Sequence, residues 1–349
     1  MELFAHSDIL RLEALFAQAE RVCIVVHTHP DGDAAGSGTA LLSYLRDCRG
    51  LQAELLLPDA LPASLEFLLP AAGVTDASAD PAGAGRCIAA CDLLVCLDMN
   101  GFDRAGDLGA ALSGCRARRV LIDHHLHPER QCFDLVFSET QVSSTAELLY
   151  FVLQALHGAG RSLPLPVLTP LMAGMTTDTN NFANSVFPST LRMASELLAA
   201  GVDRDALLDV LFHRYRENRY RAMGAFLDRM RITPSGVAYA VLDRGFLRRF
   251  DLQDGETEGF VNLPLGIAGV RLSIFLREDT GHFRVSLRSK PGVSAGRLAA
   301  EAFHGGGHEC AAGGRLRFPE DIPAPAQAEE YIETVTARFM RNPGPSQSE

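Results

Sequence analysis

The chain has 349 residues, of which 47% are hydrophobic, and a formal net charge of −11. This length suggests about two domains, and the apolar content excludes an intrinsically disordered chain. The acidic charge argues against duplex DNA or long RNA as the main partner, because proteins that bind a nucleic-acid backbone normally present a basic surface. A small anionic ligand and metal ions remain compatible with this composition.

Cysteine spacing and hydropathy limit the compartment and the class of metal site. None of the eight cysteines forms a Cys-x-x-Cys pair, so a zinc ribbon or thioredoxin-type site has no support. We interpret the cysteines as small buried residues in a reducing compartment. The N-terminus lacks the features of a signal peptide, and no stretch reaches about 18 uninterrupted apolar residues. We therefore expect a cytoplasmic protein without a membrane segment.

Short β-like runs alternate with helical runs in the first half of the chain. The predicted strands are 21–26, 51–57, 93–97 and 119–122. A glycine-rich run at 32–37 predicts a flexible turn that leads into a helix through 40–46, and its free N–H groups could bind phosphate oxygens. This alternation predicts a parallel sheet with helices on both faces and ligands bound beyond the carboxyl ends of its strands.

The pattern changes in the second half. Residues 189–231 are helical and rich in arginine, whereas period-two runs predict strands at 237–242, 270–276 and 282–287, before a helix at 296–303. We therefore expect an α/β protein with two domains, the second a smaller α+β domain. The predicted boundaries are a metal-binding domain at 1–200, a helical connector at 201–231, a substrate-binding domain at 232–340 and a flexible tail at 341–349.

Four apolar segments of the first domain each end in acidic or imidazole side chains. These are His27, Asp31 and Asp33; Asp98; Asp123, His124 and His125; and Asp178. A single aspartate after a strand is usually a helix cap or a turn residue, but capping hardly explains four such clusters. Carboxylates gathered at one edge of a sheet repel one another, and cations are the usual remedy. Oxygen and nitrogen ligands without thiolate suit a pair of divalent ions, which can act on a phosphoryl group.

The second domain carries a glycine-rich turn and a cationic strand end. Gly305, Gly306 and Gly307 precede His308, and glycines allow a ligand to approach the backbone closely. The run from Arg288 to Lys290 ends a predicted strand, and an arginine fork suits phosphate oxygens. Each feature alone could be an ordinary loop, but their occurrence in one small domain favours a phosphate-bearing ligand.

These residues together resemble the DHH/DHHA1 phosphoesterase family. The resemblance rests on His-x-x-x-Asp-x-Asp at 27–33, the strand-end Asp98, Asp-His-His at 123–125, the late Asp178 and Gly-Gly-Gly-His at 305–308. It extends over nearly the whole chain and includes all four metal motifs in the family's order. Among family members, the chain is similar to the stand-alone branch rather than to the membrane-anchored enzymes for cyclic dinucleotides.

The resemblance implies two divalent metal ions, usually manganese in this family, with magnesium or cobalt as alternatives. One ion would be bound by His27, Asp31 and Asp98. The other would be bound by Asp33, Asp98, His124 and Asp178, with Asp98 bridging the two. His125 would face the scissile phosphate, and Asp123 would orient the pair of histidines. The implied substrate-binding residues are Arg271, Arg288, Ser289, Gly305, Gly306, Gly307 and His308, with Arg297 as a further anion contact.

The implied activity is hydrolysis of short oligoribonucleotides (nanoRNA) to mononucleotides and of 3′-phosphoadenosine 5′-phosphate (pAp) to AMP and phosphate. An active-site cleft between the two domains would accept roughly two to five nucleotides and reject long duplexes. Alternatives are hydrolysis of cyclic or linear dinucleotides (c-di-AMP, pApA, c-di-GMP or pGpG) and hydrolysis of pyrophosphate or polyphosphate. A catalytically silent nucleotide-sensing module is the alternative from another class. A homodimer is plausible because symmetric oligomers are common.

Overall fold

A computed structural model describes residues 3–158, 160–253, 255–307 and 309–341. The chain divides into two compact units, Met1–Arg214 and Tyr215–Glu349. Each unit has its own sheet and its own hydrophobic core. The division falls within the segment predicted as a helical connector.

The first unit alternates strands with helices. Its strands are β1 (Arg21–Val25), β2 (Gln52–Leu57), β3 (Val74–Asp76), β4 (Leu93–Leu97), β5 (Arg118–Asp123) and β6 (Leu135–Ser138). Its α-helices are α1 (His6–Gln18), α2 (Gly32–Ser43), α3 (Pro81–Ala90), α4 (Gly109–Gly114), α5 (Thr145–His157), α6 (Leu165–Asp178), α7 (Pro188–Ala199) and α8 (Arg204–Phe212). The strands pair in the order β3-β2-β1-β4-β5-β6, and every pair is parallel.

Both faces of this parallel sheet are buried. Ile24 and Val95 belong to a core cluster that includes residues of α1, α2, α5 and α6. Their neighbours Cys23 and Cys96 face the other side and pack with residues of α3 and of the segment 102–112. Burial on both faces explains why these strands read as continuous apolar runs. The predicted parallel sheet with helices on both faces is confirmed.

The glycine-rich run after β1 is helical, so the predicted flexible turn was wrong. α2 begins at Gly32, ends at Ser43 and continues as a π-helical turn, Tyr44–Cys48. A Cβ atom at Gly36 would collide with the Pro170 carbonyl oxygen of α6, and one at Gly32 would collide with the Thr177 side chain. These glycines therefore serve the close approach of two helices rather than backbone flexibility.

The second unit contains a mixed sheet. Its strands are β7 (Arg231–Ile232), β8 (Val237–Leu242), β9 (Leu272–Asp279), β10 (His282–Ser289), β11 (Gly306–Gly307) and β12 (Ala311–Arg317). Its α-helices are α9 (Glu217–Arg229), α10 (Arg244–Arg249), α11 (Ala295–Ala302) and α12 (Ala328–Phe339). The strand order is β11-β12-β10-β9-β8-β7, with β8 and β9 parallel and the other pairs antiparallel.

Helices cover both faces of the second sheet in part. One face packs on α11 and α12, and the other packs on α9 and α10 near β8 and β9. The arginine-rich stretch 189–231 is divided among α7, α8 and α9. Among the helices of the described ranges, none has the length and apolar character needed to cross a membrane.

Candidate metal centre

The acidic and imidazole side chains that follow the strands of the first sheet lie close together. Asp98 directly follows β4, Asp123 ends β5, and Asp178 ends α6. Potential ligand atoms fall into three groups, each with its atoms within 4.8 Å of one another: His27, Asp31 and Asp98; Asp98, His124 and His125; and Asp33, His124 and Asp178. Asp98 and His124 each belong to two groups, so the groups form one continuous cluster.

Asp98 lies between the groups. Its carboxylate is buried, and its backbone φ is 57°, which is uncommon for a residue with a side chain. Its Oδ2 atom lies 3.4 Å from Nε2 of His27, and its Oδ1 atom lies 3.7 Å from Nε2 of His124. The hydroxyl of Thr145 donates a hydrogen bond of 3.0 Å to Oδ1. Asp98 therefore has both oxygens directed at potential ligands of different groups.

The segment between β1 and α2 contributes two further residues of the cluster. Nδ1 of His27 lies 2.8 Å from the Thr28 carbonyl oxygen, which only accepts hydrogen bonds, so Nδ1 carries a proton and the neutral ring would offer its Nε2 lone pair to a metal ion. Asp31 is the N-cap of α2, and its Oδ1 atom accepts hydrogen bonds from the backbone of Asp33 and Ala34. This cap fixes Asp31 at 3.8 Å from Nε2 of His27.

Asp33 is fixed by the N-terminus of α5. Its buried carboxylate accepts hydrogen bonds from the backbone N–H groups of Thr145, at 2.7 Å, and Ala146, at 2.8 Å. The first N–H groups of a helix lack partners within it and favour a negative charge. Thr145 was not predicted as part of the site. Its available signal was the Ser-x-x-Glu pattern formed by Ser144, the N-cap of α5, and Glu147.

The Asp-His-His run ends β5 and contributes both of its rings. Nε2 of His124 lies 3.6 Å from Asp178 and 4.0 Å from Asp33. Nδ1 of His125 forms a hydrogen bond of 2.7 Å with Oδ1 of Asp123, a fully buried residue. The second oxygen, Oδ2 of Asp123, has no hydrogen-bond partner in the described part of the chain. Asp123 therefore orients His125. The resemblance predicted that Asp123 would orient both His124 and His125.

The electrostatics of the cluster favour bound cations. Burial raises the pKa of Asp33 well above its ordinary value, and the charge of Asp98 raises it further; Asp178 is raised in the same way. Burial alone would raise the pKa of Asp98, but His27 and the other imidazoles hold it below its ordinary value. Burial likewise opposes the charge on His27, whose pKa is nevertheless raised well above its ordinary value by Asp31 and Asp98. The cluster thus holds more carboxylate charge than its imidazoles balance.

The donor set fits divalent metal ions. Carboxylate oxygens and imidazole nitrogens without thiolate are ligands of manganese, magnesium and similar ions. Many separations between these atoms, 3.4–4.0 Å, exceed hydrogen-bond length but match two ligands of one ion, which lie roughly 3–4 Å apart when each bond is about 2.1 Å. Burial lowers the pKa of His124, which keeps its ring neutral for ligation.

The second unit brings several predicted substrate-binding residues to one end of its sheet. Arg288 pairs with Ala311 across β10 and β12, and Gly307 pairs with Ala312 across β11 and β12. Arg271 directly precedes β9 at the same end. Burial lowers the pKa of the Arg288 guanidinium, whereas Arg271 is exposed. This end of the sheet therefore carries two cationic side chains beside a glycine backbone.

Local packing already accounts for some of the predicted contacts. The hydroxyl of Ser289 donates to the Val293 carbonyl oxygen at 2.5 Å, so its proton is committed within a turn. Cβ atoms at Gly305 and Gly307 would collide with the backbone of β12, whereas one at Gly306 would meet open space. Only Gly306 leaves room for a ligand at its α-carbon. His308 lies outside the described residues.

Arg297 is the remaining predicted anion contact. It lies on α11, where its Nε atom is 3.2 Å from the Glu301 carboxylate and its guanidinium lies 4.5 Å from the ring centre of Phe339. The first contact lies within α11, and the second packs α11 against α12. A role of Arg297 as an anion contact stays a prediction.

Comparison with known proteins adds independent findings. The model of the DHH family, N-terminal domain, matches residues 21–175, and that of the DHHA1 domain matches residues 235–339. A Thermus thermophilus protein described as bifunctional oligoribonuclease and PAP phosphatase NrnA is 31% identical over 312 residues, covering 87% of each chain. A crystal structure of an exopolyphosphatase-related protein from Bacteroides fragilis has a TM-score of 0.92 at 31% identity, covering 98% of this chain and 99% of that one. A cyclic-di-AMP phosphodiesterase GdpP from Geobacillus thermodenitrificans is 26% identical, and the match covers 85% of this chain but 45% of that protein.

Proposed function

We propose, because the chain belongs to the DHH family and carries a DHHA1 domain, that it hydrolyses short oligoribonucleotides to mononucleotides and pAp to AMP and phosphate. The observation that carries the proposal is the continuous cluster of carboxylates and imidazoles around Asp98. The Thermus relative, whose name contains both activities, supports this choice of substrate. The match to the cyclic-di-AMP phosphodiesterase covers less than half of that protein, so a cyclic dinucleotide is not the favoured substrate.

Two divalent cations are proposed as cofactors, with manganese as the first choice. His27, Asp31 and Asp98 would hold one, and Asp33, Asp98, His124 and Asp178 would hold the other. Bound ions supply positive charge beside the phosphoryl group and lower the pKa of water. The hydrogen bonds from Thr145 and Ala146 keep Asp33 and Asp98 in place for this task.

His125 is proposed to act on the phosphate itself. The hydrogen bond from its Nδ1 atom to Asp123 fixes the orientation and tautomer of the ring. Chemistry at His125 therefore involves Nε2, which can donate a proton or a hydrogen bond. We assign His125 to stabilising negative charge on the scissile phosphate and to assisting departure of the leaving oxygen.

The second unit is proposed to bind the part of the nucleotide that does not react. Arg288 and Arg271 supply positive charge for a terminal phosphate, and the open backbone at Gly306 allows close approach. Ser289 is restricted to accepting a hydrogen bond, because its proton is used within the protein. Binding at one end of a short strand would favour very short substrates.

The proposal is tested by turnover of the purified chain, in added manganese, on a panel of phosphate compounds. The panel contains pAp, pApA, an RNA pentamer, a long RNA, c-di-AMP and inorganic polyphosphate. We expect release of phosphate from pAp and of mononucleotides from pApA and the pentamer, with little turnover of the long RNA. Preferential hydrolysis of polyphosphate or c-di-AMP would contradict the proposal. Nucleotide binding without hydrolysis of any compound would instead support a sensing module.

A further inference from the structure

Four of the eight cysteines meet in the first unit, away from the candidate metal centre. Cys23 lies in β1 and interacts with the thiols of Cys87 and Cys91, at the end of α3. The sulfur atoms of Cys91 and Cys115 lie 3.8 Å apart. Cys91 precedes β4 and Cys115 precedes β5, whereas the candidate ligands follow these strands. At about 3.3 Å per residue, the seven residues from Cys91 to Asp98 span roughly 20 Å.

The backbone holds Cys91 and Cys115 in fixed positions. Both thiols point at the same acceptor, the Ile88 carbonyl oxygen, at 3.3 Å and 3.4 Å. The Cys91 amide donates to Cys87 at the end of α3, and the Arg119 guanidinium donates to the Cys115 carbonyl oxygen. Both residues are half-buried rather than fully enclosed, as a reaction with a small solute requires.

The spacing of the sulfur atoms favours a reaction of two thiols over a thiolate metal site. No three cysteine sulfurs of the described residues lie within 4.8 Å of one another, as a preformed metal site of this kind requires. A disulfide needs a sulfur separation of about 2.05 Å, so Cys91 and Cys115 must close by less than 2 Å. Rotation of the thiols about their Cα–Cβ bonds provides movement on this scale.

We propose that Cys91 and Cys115 form a reversible disulfide when a peroxide is present, which makes this pair a thiol-oxidation site. The Cys91 thiolate attacks one peroxide oxygen and becomes a sulfenic acid, while the other oxygen leaves as hydroxide. The Cys115 sulfur then displaces the sulfenic oxygen, so that the S–S bond forms, the S–O bond breaks and water leaves with the Cys115 proton. Each sulfur loses one electron, and the peroxide gains two.

The order of the two steps follows from the surroundings of each thiol. The neighbouring thiol of Cys23, followed by that of Cys115, lowers the pKa of Cys91, which favours the nucleophilic thiolate. Burial raises the pKa of Cys115, which keeps that sulfur protonated until the second step. The finished bond would join the end of α3 to the segment that leads into β5 and restrict the unfolded chain.

The test is a peptide map of the purified full chain after mild oxidation with hydrogen peroxide. Remaining thiols are alkylated, and the protein is digested without reduction. We expect a peptide pair that joins Cys91 to Cys115, loss of two of eight alkylated thiols, restoration by dithiothreitol and a higher melting temperature. Linkage of Cys91 to Cys23 or Cys87, or unchanged alkylation of Cys91 and Cys115, would overturn the proposal.

Variants separate the pair from the other thiols. In Cys115→Ser, we expect Cys91 to remain as a sulfenic acid that dimedone traps. In Cys132→Ser, a control whose wild-type thiol is also half-buried but contacts the Glu129 carboxylate, the disulfide should form as in the wild type. Loss of the disulfide in the control would count against the assigned pair, and the wild-type map remains decisive if Cys115→Ser fails to fold.

Discussion

At the scale of single residues, the candidate metal centre depends on hydrogen bonds that hold its side chains in place. Asp33 receives two backbone N–H groups, Asp98 receives the Thr145 hydroxyl, and His125 is held by Asp123. Each partner fixes a side chain that would otherwise rotate or repel its neighbours. Positions outside the motifs are therefore expected to affect activity through geometry.

The substitution Asp98→Asn tests the shared position in the cluster. An amide has nearly the same size but no charge, so we expect turnover to fall by more than about 100-fold, beyond the usual effect of losing a supporting partner. Turnover of pAp with manganese measures the loss, and circular dichroism checks folding. Asp203→Asn, at the exposed N-cap of α8, is the matched control and should keep wild-type turnover. A folded Asp98→Asn protein with near-normal turnover would contradict the assigned ligand set.

The substitution Thr145→Val tests positioning without touching a predicted ligand. Valine keeps the shape of threonine but removes the hydroxyl that donates to Asp98. We expect manganese affinity to fall by about 10–100-fold, because partners that hold a ligand typically contribute this much. Calorimetric titration with manganese measures the affinity. Thr145→Ser keeps the hydroxyl and should restore it, and equal affinities for the two variants would exclude this role.

The substitution Asp123→Asn tests the orientation of His125. The amide keeps an oxygen near Nδ1 but removes the charge, and we expect kcat to fall by roughly 10–100-fold. KM should change much less, because Asp123 lies behind His125 and does not contact substrate in the proposed mechanism. Steady-state kinetics on pAp separates the two parameters. A rise in KM alone would assign Asp123 to substrate binding instead.

At the scale of elements, the contact between α2 and α6 depends on glycine. Gly36→Ala places a methyl group against the Pro170 carbonyl oxygen, where the backbone cannot yield easily. We expect a loss of about 1–3 kcal/mol in the free energy of unfolding, as overpacking typically causes. Urea denaturation measures the change.

Gly85→Ala is the control for this prediction. Gly85 lies in α3, and a Cβ atom there meets nothing within 4 Å. We expect this change to stabilise the protein by about 0.4–1 kcal/mol, because alanine restricts the unfolded chain and favours helix. Equal destabilisation by both substitutions would show that helix packing is not the cause.

Elements with a strong apolar pattern were predictable from sequence, and elements defined by their neighbours were not. The strands β1, β4 and β5 are buried on both faces and were predicted within about two residues. β7 and β11 have two residues each and exist only through pairing, so their composition carries no signal. The predicted helix was shorter than α2, because glycine normally disfavours a helix. In α2, the glycines are needed for close packing on α6.

The residues of the candidate site also differ in how far the sequence predicts them. The candidate ligands were predictable because the ends of parallel strands meet at one edge, which turns spacing along the chain into proximity. The contribution of Thr145 was not predictable from sequence, because it depends on where α5 packs. Ser289 was predicted to contact substrate. The alternating pattern of β10 does not reveal that the Ser289 hydroxyl donates a hydrogen bond to the Val293 carbonyl oxygen.

At the scale of the whole molecule, metal binding should raise stability. The net charge of −11 and the carboxylates of the cluster disfavour the cation-free protein. Manganese at 100 times its dissociation constant should stabilise the native state by about 2.7 kcal/mol per site. Differential scanning calorimetry with and without manganese measures the shift in melting temperature. The same scan of Asp98→Asn should show a much smaller shift, and an equal shift would mean that manganese binds elsewhere.

A homodimer remains a prediction. Closed symmetric dimers are the commonest form of soluble homo-oligomers. Sedimentation of the purified protein at several concentrations measures the oligomeric state. A single species with the mass of one chain would exclude the dimer.

Two separate cores divide the chain into parts that natural selection can alter independently. All proposed cation ligands lie before Arg214, whereas the strands that carry Arg288 and the glycine run lie after Tyr215. A substitution that reshapes nucleotide preference therefore need not disturb the packing that gathers the carboxylates. Enzymes with new substrates can arise from this architecture by changes in the second sheet, while the inherited hydrolytic chemistry is preserved in the first.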